Sequence, residues 1–199
     1  MRNVILQEFV SLDGLASGPN DSVDFVPAAN QGDQSFGQRQ LKFMDSVDTI
    51  LLGRVTYSMF AGHWPNVKSG EDKQFADKIN AMPKVVFSKT LSRAPWGSWD
   101  EARIVKTGAA QEVARLKEAP GKDMVIWGSL TLAQSLMDEG LIDDYQLMVC
   151  PVVLGKGRRL FRDTDSFDMR LSNAQSFDRG TVVLSYEAAK APASVAGGR

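Results

Sequence analysis

Short apolar segments alternate with helical patterns up to Gly140, and this order limits the possible folds more than any other feature of the chain. The run Ile50-Leu51-Leu52 indicates a strand buried on both faces, and it leads through Gly53 into a helical pattern. The predicted strands of this part are residues 3–10, 50–52, 84–87, 102–106 and 124–127. From Asp143 on, strands follow one another directly, at residues 145–154, 168–177 and 181–188. This order predicts an α/β protein of three layers, a mostly parallel twisted sheet between helices that ends in an antiparallel hairpin.

Helices are predicted between these strands. Asp33 is a suitable N-cap for a helix over residues 34–46, and Gly140 suits the C′ position of the helix that follows Gly128. The other predicted helices cover residues 71–80 and 109–118. Loops are predicted from Leu15 to about Gly32 and from Ala61 to Asn66.

Length and composition indicate one ordinary globular domain. The 199 residues are 43% hydrophobic and 24% charged, with a net charge of −1, and nothing in them suggests nucleic-acid or membrane binding. Cys150 has no second cysteine to pair with, which suits a reducing cytoplasm. We expect a cytoplasmic protein with a single domain over residues 1–187 and a disordered tail over 188–199.

Residue counts remove several kinds of site. With one histidine, His63, and one cysteine, the chain cannot build a Cys/His zinc cluster, so we expect no metal. A catalytic triad would have to use His63, and no nucleophile elbow is present. Neither a P-loop nor a G-x-G-x-x-G segment occurs.

Three predicted strands end in segments suited to an anionic ligand. These segments are Gly53-Arg54-Val55-Thr56, Ser88-Lys89 and Gly128-Ser129-Leu130-Thr131. Glycine lets a ligand approach the backbone, a helix N-terminus favours an anion, and arginine binds phosphate with a planar fork. Because ligands bind beyond the carboxyl ends of strands in open α/β sheets, we expect these loops to form one crevice. The alternative for each is an ordinary strand-turn-helix with surface side chains.

The order and spacing of these segments resemble the dihydrofolate reductase superfamily, and more closely its riboflavin biosynthesis reductase domain. The segments Val10-Ser11-Leu12-Asp13-Gly14, Asp143-Asp144-Tyr145 and Pro151-Val152-Val153-Leu154-Gly155 favour that branch, and the resemblance covers Val4 to Tyr186. It implies the dihydrofolate reductase-like fold and NADPH as cofactor.

The resemblance also implies which residues hold NADPH. Its phosphates would contact Gly53, Arg54 and Thr56, and its adenosine end would lie by Ser88 and Lys89. The pyrophosphate would meet Gly128, Ser129, Leu130 and Thr131, and the nicotinamide would lie against Phe9, Val10 and Ser11. Asp13 is the candidate catalytic residue, through contact with the substrate or the nicotinamide ribose; the alternative is that it caps its own turn.

The implied reaction is hydride transfer from NADPH to a small heterocyclic substrate, most like that of 5-amino-6-(5-phosphoribosylamino)uracil reductase. The alternatives are a catalytically silent nucleotide-binding module, or a reductase of a pterin or dihydrofolate. The sequence departs from the family's pattern at two places. The helix body from Phe36 to Met44 has no acid to hold a pterin, and Ser129 stands where the family has the second glycine of a double glycine. The resemblance and the long strand Tyr145–Leu154 suggest a homodimer.

Several other residues allow two interpretations. His63 could donate to a substrate or lie on the surface, and Trp64, Trp96 and Trp99 could stack on a heterocycle or pack in the core. The loop with Lys156, Arg158 and Arg159 could receive a substrate phosphate or form a solvated turn. Cys150 is expected to be inert.

Overall fold

An eight-stranded sheet forms the centre of the computed structural model, which describes residues 1–189. The strands are β1 (Val4–Ser11), β2 (Leu15–Ser17), β3 (Val47–Gly53), β4 (Lys84–Phe87), β5 (Arg103–Val105), β6 (Asp123–Trp127), β7 (Asp144–Cys150), β8 (Arg158–Arg159), β9 (Met169–Ser176) and β10 (Val182–Ala188). The helices are α1 (Phe25–Asn30), α2 (Gln34–Met44), α3 (Arg54–His63), α4 (Lys73–Ala81), α5 (Ala109–Glu118) and α6 (Leu130–Asp138).

The strand order of the main sheet is β5-β4-β3-β6-β1-β7-β10-β9. All pairs from β5 to β7 are parallel, whereas β10 pairs antiparallel with both β7 and β9. The predicted fold class, a mostly parallel sheet with an antiparallel C-terminal hairpin, is confirmed. The first strand lies in the middle of the sheet, because β1 pairs with β6 on one side and with β7 on the other.

Helices cover the sheet on both faces, since its central strands are apolar on both sides. On one face, Val113 of α5 and Leu136 of α6 pack against Leu6 and Ile126. On the other face, Met44, Tyr57 and Ile79 bring α2, α3 and α4 against alternate residues of the same strands. These layers place the carboxyl ends of β1, β3, β4 and β6 at one edge, beside the N-termini of α3 and α6.

The predicted strand Tyr145–Leu154 extends too far at its C-terminal end. β7 ends at Cys150, because Pro151 has no N–H to continue the ladder. It is also an internal strand, paired with β1 and β10, whereas the edge strands are β5 and β9.

The two predicted loops contain more regular structure than the sequence indicated. The segment 15–32 includes β2, a 3₁₀ turn at Pro19–Asp21 and α1, and β2 pairs with β8 in a separate two-stranded sheet. This pairing joins residues far apart in sequence, which local patterns do not reveal. The segment 61–66 is also not a loop, because α3 continues to His63 and Trp64–Asn66 forms a 3₁₀ turn.

Two predicted helix boundaries are confirmed by their hydrogen bonds. The Asp33 side chain accepts from the Phe36 N–H and caps α2. At the end of α6, Gly140 has φ +61° and its N–H donates to the Met137 carbonyl, while the Leu141 N–H donates to the Leu136 carbonyl. This is the Schellman arrangement.

The predicted disordered tail falls almost entirely on residues 190–199, outside the described part of the chain. No helix in the described part combines the length and the apolar character needed to cross a membrane.

Candidate functional site

Two helix N-termini meet at the carboxyl edge of the sheet. α3 begins directly after β3 and α6 begins soon after β6, and neither start is capped by a side chain. The Gly53 N–H donates to Ser129 Oγ at 2.9 Å and so joins the two starts. Because the first-turn amides of a helix have no partner within it, the pair presents several N–H donors to an anion.

A second hydrogen bond fixes the same junction. The Ser129 N–H donates to Thr56 Oγ1 at 2.9 Å, and Ser129 Oγ donates to the Trp127 carbonyl at 3.1 Å. Ser129 has φ +58°, the left-handed conformation that glycine would adopt at lower cost. The serine therefore keeps the backbone shape expected of a glycine pair and adds a hydroxyl that ties β3 to β6.

Gly128 could not carry a side chain here without a tight contact. Its φ is +53°, and a Cβ on it would lie 3.3 Å from the Thr56 side chain. The backbone of Gly128 and the Thr56 side chain both border the large cleft described below. The structure thus brings Gly53, Thr56, Gly128 and Ser129 together, as the sequence analysis expected.

The other predicted cofactor residues are more dispersed. Arg54 is exposed in the first turn of α3, with its side chain free to reach a ligand. Ser88 is buried, and its Oγ accepts from the N–H groups of Thr90 and Leu91, while Lys89 is exposed one strand farther along the edge. In α6, Leu130 is buried and packs in the core, whereas Thr131 is exposed.

At the end of β1, alternate residues face opposite sides of the sheet. Phe9 borders the cleft, whereas Val10 packs into the core on the other face. Ser11 is buried, and its Oγ accepts from the Leu15 N–H. Of these three predicted nicotinamide contacts, Phe9 is the one whose side chain is placed beside a ligand-sized space.

Asp13 is engaged with the loop after β7. Its carboxylate accepts from the Leu154 N–H at 3.1 Å and the Gly155 N–H at 2.7 Å. Hydrogen bonding by the Ser11 hydroxyl, and then by these two amides, lowers the pKa of Asp13 to about 2. A group with this pKa is a fixed anion near neutral pH and does not donate a proton, so a role for Asp13 would be to hold the loop or accept hydrogen bonds.

Beside this junction lies a cleft of about 1240 Å³ between α2, α3, α4 and the sheet. Its walls include a cluster of aromatic side chains: Phe9, Phe36, Phe60, Trp64, Phe75 and Trp127. His63 lies at its rim, with the imidazole 4.7 Å from the Trp64 ring centroid. A cleft this size accommodates a nicotinamide and a small planar substrate side by side.

A network of carboxamides lies on the wall of the cleft, and the sequence analysis did not single it out. Gln7 Oε1 accepts from Trp127 Nε1 at 2.7 Å and from Gln40 Nε2 at 2.9 Å. Gln7 Nε2 donates to Gln146 Oε1 at 3.0 Å, and Arg39 donates to both Gln40 and Gln146. The helical period puts Phe36, Gln40 and Met44 on the buried side of α2, which places Gln40 inside but does not reveal its partner Gln7.

Glu8 is a second residue that sequence patterns did not reveal. The residue is 6% exposed, and its Oε2 has no hydrogen-bond partner among residues 1–189. Its backbone is next to the cleft, but by strand alternation its side chain lies on the other face of β1, on the side of Leu6 and Val10. Loss of solvation by burial raises the pKa of Glu8 to about 8, although a backbone hydrogen bond at Phe9 opposes this. Glu8 is therefore mostly protonated near neutral pH.

The tryptophans that allowed two interpretations divide between the cleft and the core. Trp64 borders the cleft, whereas Trp96 is fully buried, donates from Nε1 to Asn80 Oδ1 and packs as part of the core. Trp99 packs against that core, and its ring centroid lies 5.4 Å from Lys68 Nζ.

Cys150 is buried, and desolvation raises the pKa of its thiol to about 11, as expected of an inert cysteine. Within residues 1–189, no cluster of His, Cys, Asp and Glu has the geometry of a metal site.

The basic loop lies beside the start of α6 and outside the cleft. Arg158 pairs with Asp21, and its Nη2 donates to Thr131 Oγ1 at 3.3 Å. β8 holds this loop against β2. The arginines are thus brought near a residue predicted to contact the cofactor, which sequence spacing alone did not indicate.

Comparison with known proteins identifies the family. The family model of the RibD C-terminal domain matches residues 2–183. The chain belongs to the RibD C-terminal domain family. A similar protein is YyaP of Bacillus subtilis (strain 168), whose function is uncharacterised. It is 30% identical to this chain over 187 residues, and the match covers 93% of this chain and 94% of YyaP.

Solved structures share the fold of this chain. A putative riboflavin biosynthesis protein from Shewanella sp. PV-4 matches with a TM-score of 0.74 and 22% identity, over 94% of this chain and 99% of that one. A Thermotoga maritima diaminohydroxyphosphoribosylaminopyrimidine deaminase/5-amino-6-(5-phosphoribosylamino)uracil reductase matches with a TM-score of 0.67 and 11% identity. That match covers 94% of this chain and 57% of the larger protein. At these identities, the structural matches establish the shared fold.

Proposed function

We propose that this member of the RibD C-terminal domain family is an NADPH-dependent reductase. It transfers a hydride from NADPH to a C=N or C=O bond of a small heterocyclic substrate. The family is of the riboflavin-pathway reductase type, and one matched structure carries 5-amino-6-(5-phosphoribosylamino)uracil reductase in its name. That pyrimidine is therefore the reference substrate for tests.

The observation that carries the proposal is the junction of α3 and α6. Two uncapped helix N-termini lie side by side, joined by the hydrogen bond from Gly53 to Ser129, and the adjacent Gly128 leaves its backbone open to a ligand. This arrangement fits a pyrophosphate, which requires several N–H donors and close backbone approach. Arg54 lies at the start of α3, where it can reach a further phosphate.

The rest of the cofactor has a place in the same arrangement. From the pyrophosphate junction, the nicotinamide would extend past Gly128 towards Phe9, and Ser88 and Lys89 would lie near the adenosine end. NADPH supplies the hydride, so the protein positions the ring and excludes water. Asp13, just after β1, holds the loop at Leu154 and Gly155 in place.

Two alternatives have weaker support. A silent nucleotide-binding module would not need the aromatic cleft beside the cofactor junction. A dihydrofolate reductase would need a carboxylate free to hold a protonated pterin, and the buried polar side chain that α2 presents to the cleft is the carboxamide of Gln40. Asp33 also lines the cleft, but Phe36, Ser35 and Arg179 donate to its oxygens.

The test is NADPH binding by calorimetry, together with NADPH oxidation in the presence of the reference pyrimidine. The variant Gly128→Ala should weaken NADPH binding, because its Cβ would push Thr56 and strain the backbone. Gly140→Ala is the matched control, since Gly140 also has positive φ but nothing within 4 Å of its Cβ position, and it lies at the far end of α6. Equal NADPH affinity in the two variants would contradict the assignment, and the absence of NADPH binding to the wild type would refute the proposal.

We also propose a homodimer in the cytoplasm. β7 is an internal strand and cannot pair with a second copy. β9, however, is an edge strand whose residues from Arg170 to Ser176 are all exposed, and Leu171 is 51% exposed. An exposed edge with an apolar side chain is a suitable pairing surface for a second copy. The buried, unpaired Cys150 suits the cytoplasm, because that compartment is reducing.

A further inference from the structure

The charges that line the cleft are of one sign. Among the described residues, the lining acids other than Glu8 are Asp33, Glu71 and Asp72, and there is no lysine or arginine; the Glu8 side chain lies on the other face of β1, on the side of Leu6 and Val10. Near neutral pH Glu8 is mostly protonated, whereas hydrogen bonds from Phe36, Ser35 and Arg179 outweigh desolvation and hold the pKa of Asp33 below its ordinary value. Among residues 1–189, His63 is the one basic side chain that lines the cleft.

The cations that could bind a phosphate are placed elsewhere. Arg54 is exposed at the start of α3, and Arg158 contacts Thr131 and Asp21 on the other side of the α6 N-terminus. Arg39, on α2, does not line the cleft, and its guanidinium donates to the oxygens of Gln40 and Gln146. Arg54 and Arg158 are therefore placed near the proposed cofactor junction, whereas Arg39 is already engaged by the carboxamide oxygens of Gln40 and Gln146.

The polar groups on the cleft wall are neutral and stay neutral. The carboxamides of Gln7 and Gln40 hydrogen-bond each other, at 2.9 Å and 3.3 Å, and the other bonds of the network use the remaining donor and acceptor sites of Gln7. One N–H of Gln40 Nε2 is left for a ligand, and this neutral donor suits an acceptor atom of an uncharged ring.

The remaining lining is aromatic and closely packed. The Trp127 ring lies 5.8 Å from Phe75 and 6.4 Å from Phe60, centroid to centroid, and Phe60 lies 6.0 Å from Trp64. Aromatic walls at these spacings favour a flat, apolar ring over a hydrated sugar phosphate.

We propose that the substrate of this protein is an uncharged planar ring that carries a C=N or C=O bond and no phosphate group. This inference rests on the proposed reductase function, and it separates the substrate from the phosphoribosyl compound of the reference reaction. A phosphate monoester carries nearly two negative charges at neutral pH, and in this cleft it would meet carboxylates without a compensating cation. In the reaction, NADPH gives a hydride to the carbon of the C=N or C=O bond, water gives a proton to the nitrogen or oxygen, and NADP⁺ is released.

A matched pair of probes tests the inference. The first probe is 5-amino-6-(5-phosphoribosylamino)uracil and the second is the same compound without its phosphate; 2-methyl-1,4-naphthoquinone and an oxidised pterin extend the uncharged set. Binding to the full chain is measured by calorimetry without NADPH, so that the result does not depend on turnover. We expect the phosphorylated probe to bind on the order of tenfold more weakly than its dephosphorylated partner.

Charge reversal on the rim gives a second measurement. The double variant Glu71→Lys/Asp72→Lys replaces two exposed lining acids, and it should reduce or invert the preference against the phosphate. The control Asp163→Lys changes an exposed carboxylate outside the cleft, whose side chain is 96% exposed, and it should leave the ratio of the two dissociation constants unchanged.

Two results would overturn the inference. One is tighter binding of the phosphorylated probe to the wild type, and the other is no binding by any uncharged probe of the set. Failure of the proposed function looks different, because it appears as no binding of NADPH in a separate titration. A protein that binds NADPH and prefers the phosphorylated probe would keep the proposed function and lose this inference.

Discussion

The backbone N–H of Ser129 donates to Oγ1 of Thr56 across a distance of 2.9 Å, and this bond joins the start of α6 to the first turn of α3. Thr56 is 7% exposed, so its hydroxyl has a structural role in addition to any contact with a ligand. The junction of α3 and α6 is therefore held in place by the fold itself, which would lower the entropy lost on binding the proposed cofactor.

Replacing Thr56 with Val should destabilise the protein by about 1–3 kcal/mol, because the shape is kept but the Ser129 N–H loses its acceptor. Thr56→Ser keeps the oxygen and should recover most of that loss. Urea denaturation of the three proteins measures the effect. Equal midpoints for Val and Ser would show that the hydrogen bond contributes nothing.

Glu8→Gln should stabilise the protein increasingly as the pH rises. The folded pKa of Glu8 is about 8 and its ordinary value is 4.5, so in this window the unfolded chain loses a proton that the folded chain keeps. The wild type should then lose about 1.4 kcal/mol of stability per pH unit from about pH 4.5 to pH 8, and the glutamine variant avoids that loss. Urea denaturation of both proteins across this range tests it, with Glu139→Gln, at an exposed position, as control. Parallel curves for Glu8→Gln and the wild type would contradict the prediction.

Arg54→Ala should weaken NADPH binding by roughly ten- to a hundred-fold, since a charge-assisted hydrogen bond to phosphate contributes about 1.5–3 kcal/mol. If Arg54 contacts the ribose phosphate, NADH binding should hardly change, because NADH lacks that group. Arg54→Lys should recover part of the loss, and Lys89→Ala shows whether the second exposed cation shares the phosphate. An unchanged ratio of NADPH to NADH dissociation constants in Arg54→Ala would place Arg54 outside the site.

Dihydrofolate should be a poor substrate. Gln40, a neutral residue, occupies the buried face of α2, and the oxygens of Asp33 already accept hydrogen bonds. Absence of an acid to stabilise the protonated pterin should lower the rate by orders of magnitude. Steady-state turnover with dihydrofolate measures this, and a kcat/KM in the ordinary enzyme range would contradict it.

The proposed homodimer predicts twice the monomer mass in light scattering at micromolar concentration. Leu171→Lys on the exposed edge strand β9 should shift the population towards monomer, because it places a charge on the proposed pairing surface. Leu12→Lys is a suitable control, since Leu12 is 64% exposed and lies outside the edge strand. A monomer mass for the wild type would exclude the dimer.

The sequence predicted features that local patterns encode. The apolar run at Ile50–Leu52, the Asp33 cap and the glycine at position 140 lie where expected, and the alternation of elements gave the correct fold class. Features that depend on distant pairing were missed: β2 forms because β8 lies beside it, and β7 became internal because β10 pairs with it.

The candidate site was predictable to a similar extent. Glycine and hydroxyl residues after strands revealed the junction at Gly53, Thr56 and Gly128, since the parallel sheet brings those ends together. The carboxamide pair of Gln7 and Gln40 was not predictable, because its partners come from a strand and a helix with no shared motif. The burial that raises the pKa of Glu8 is likewise a property of packing.

The central place of β1 has a consequence for how the chain reaches its fold. Val4 pairs with Met124 and Ile5 with Asp144, so β1 is synthesised well before the residues that pair with it. Until those residues leave the ribosome, an apolar strand stays exposed with both edges unpaired, and such contacts of long sequence separation form slowly. Folding of this protein should therefore be largely post-translational, and its nascent chains should depend on chaperones during that interval.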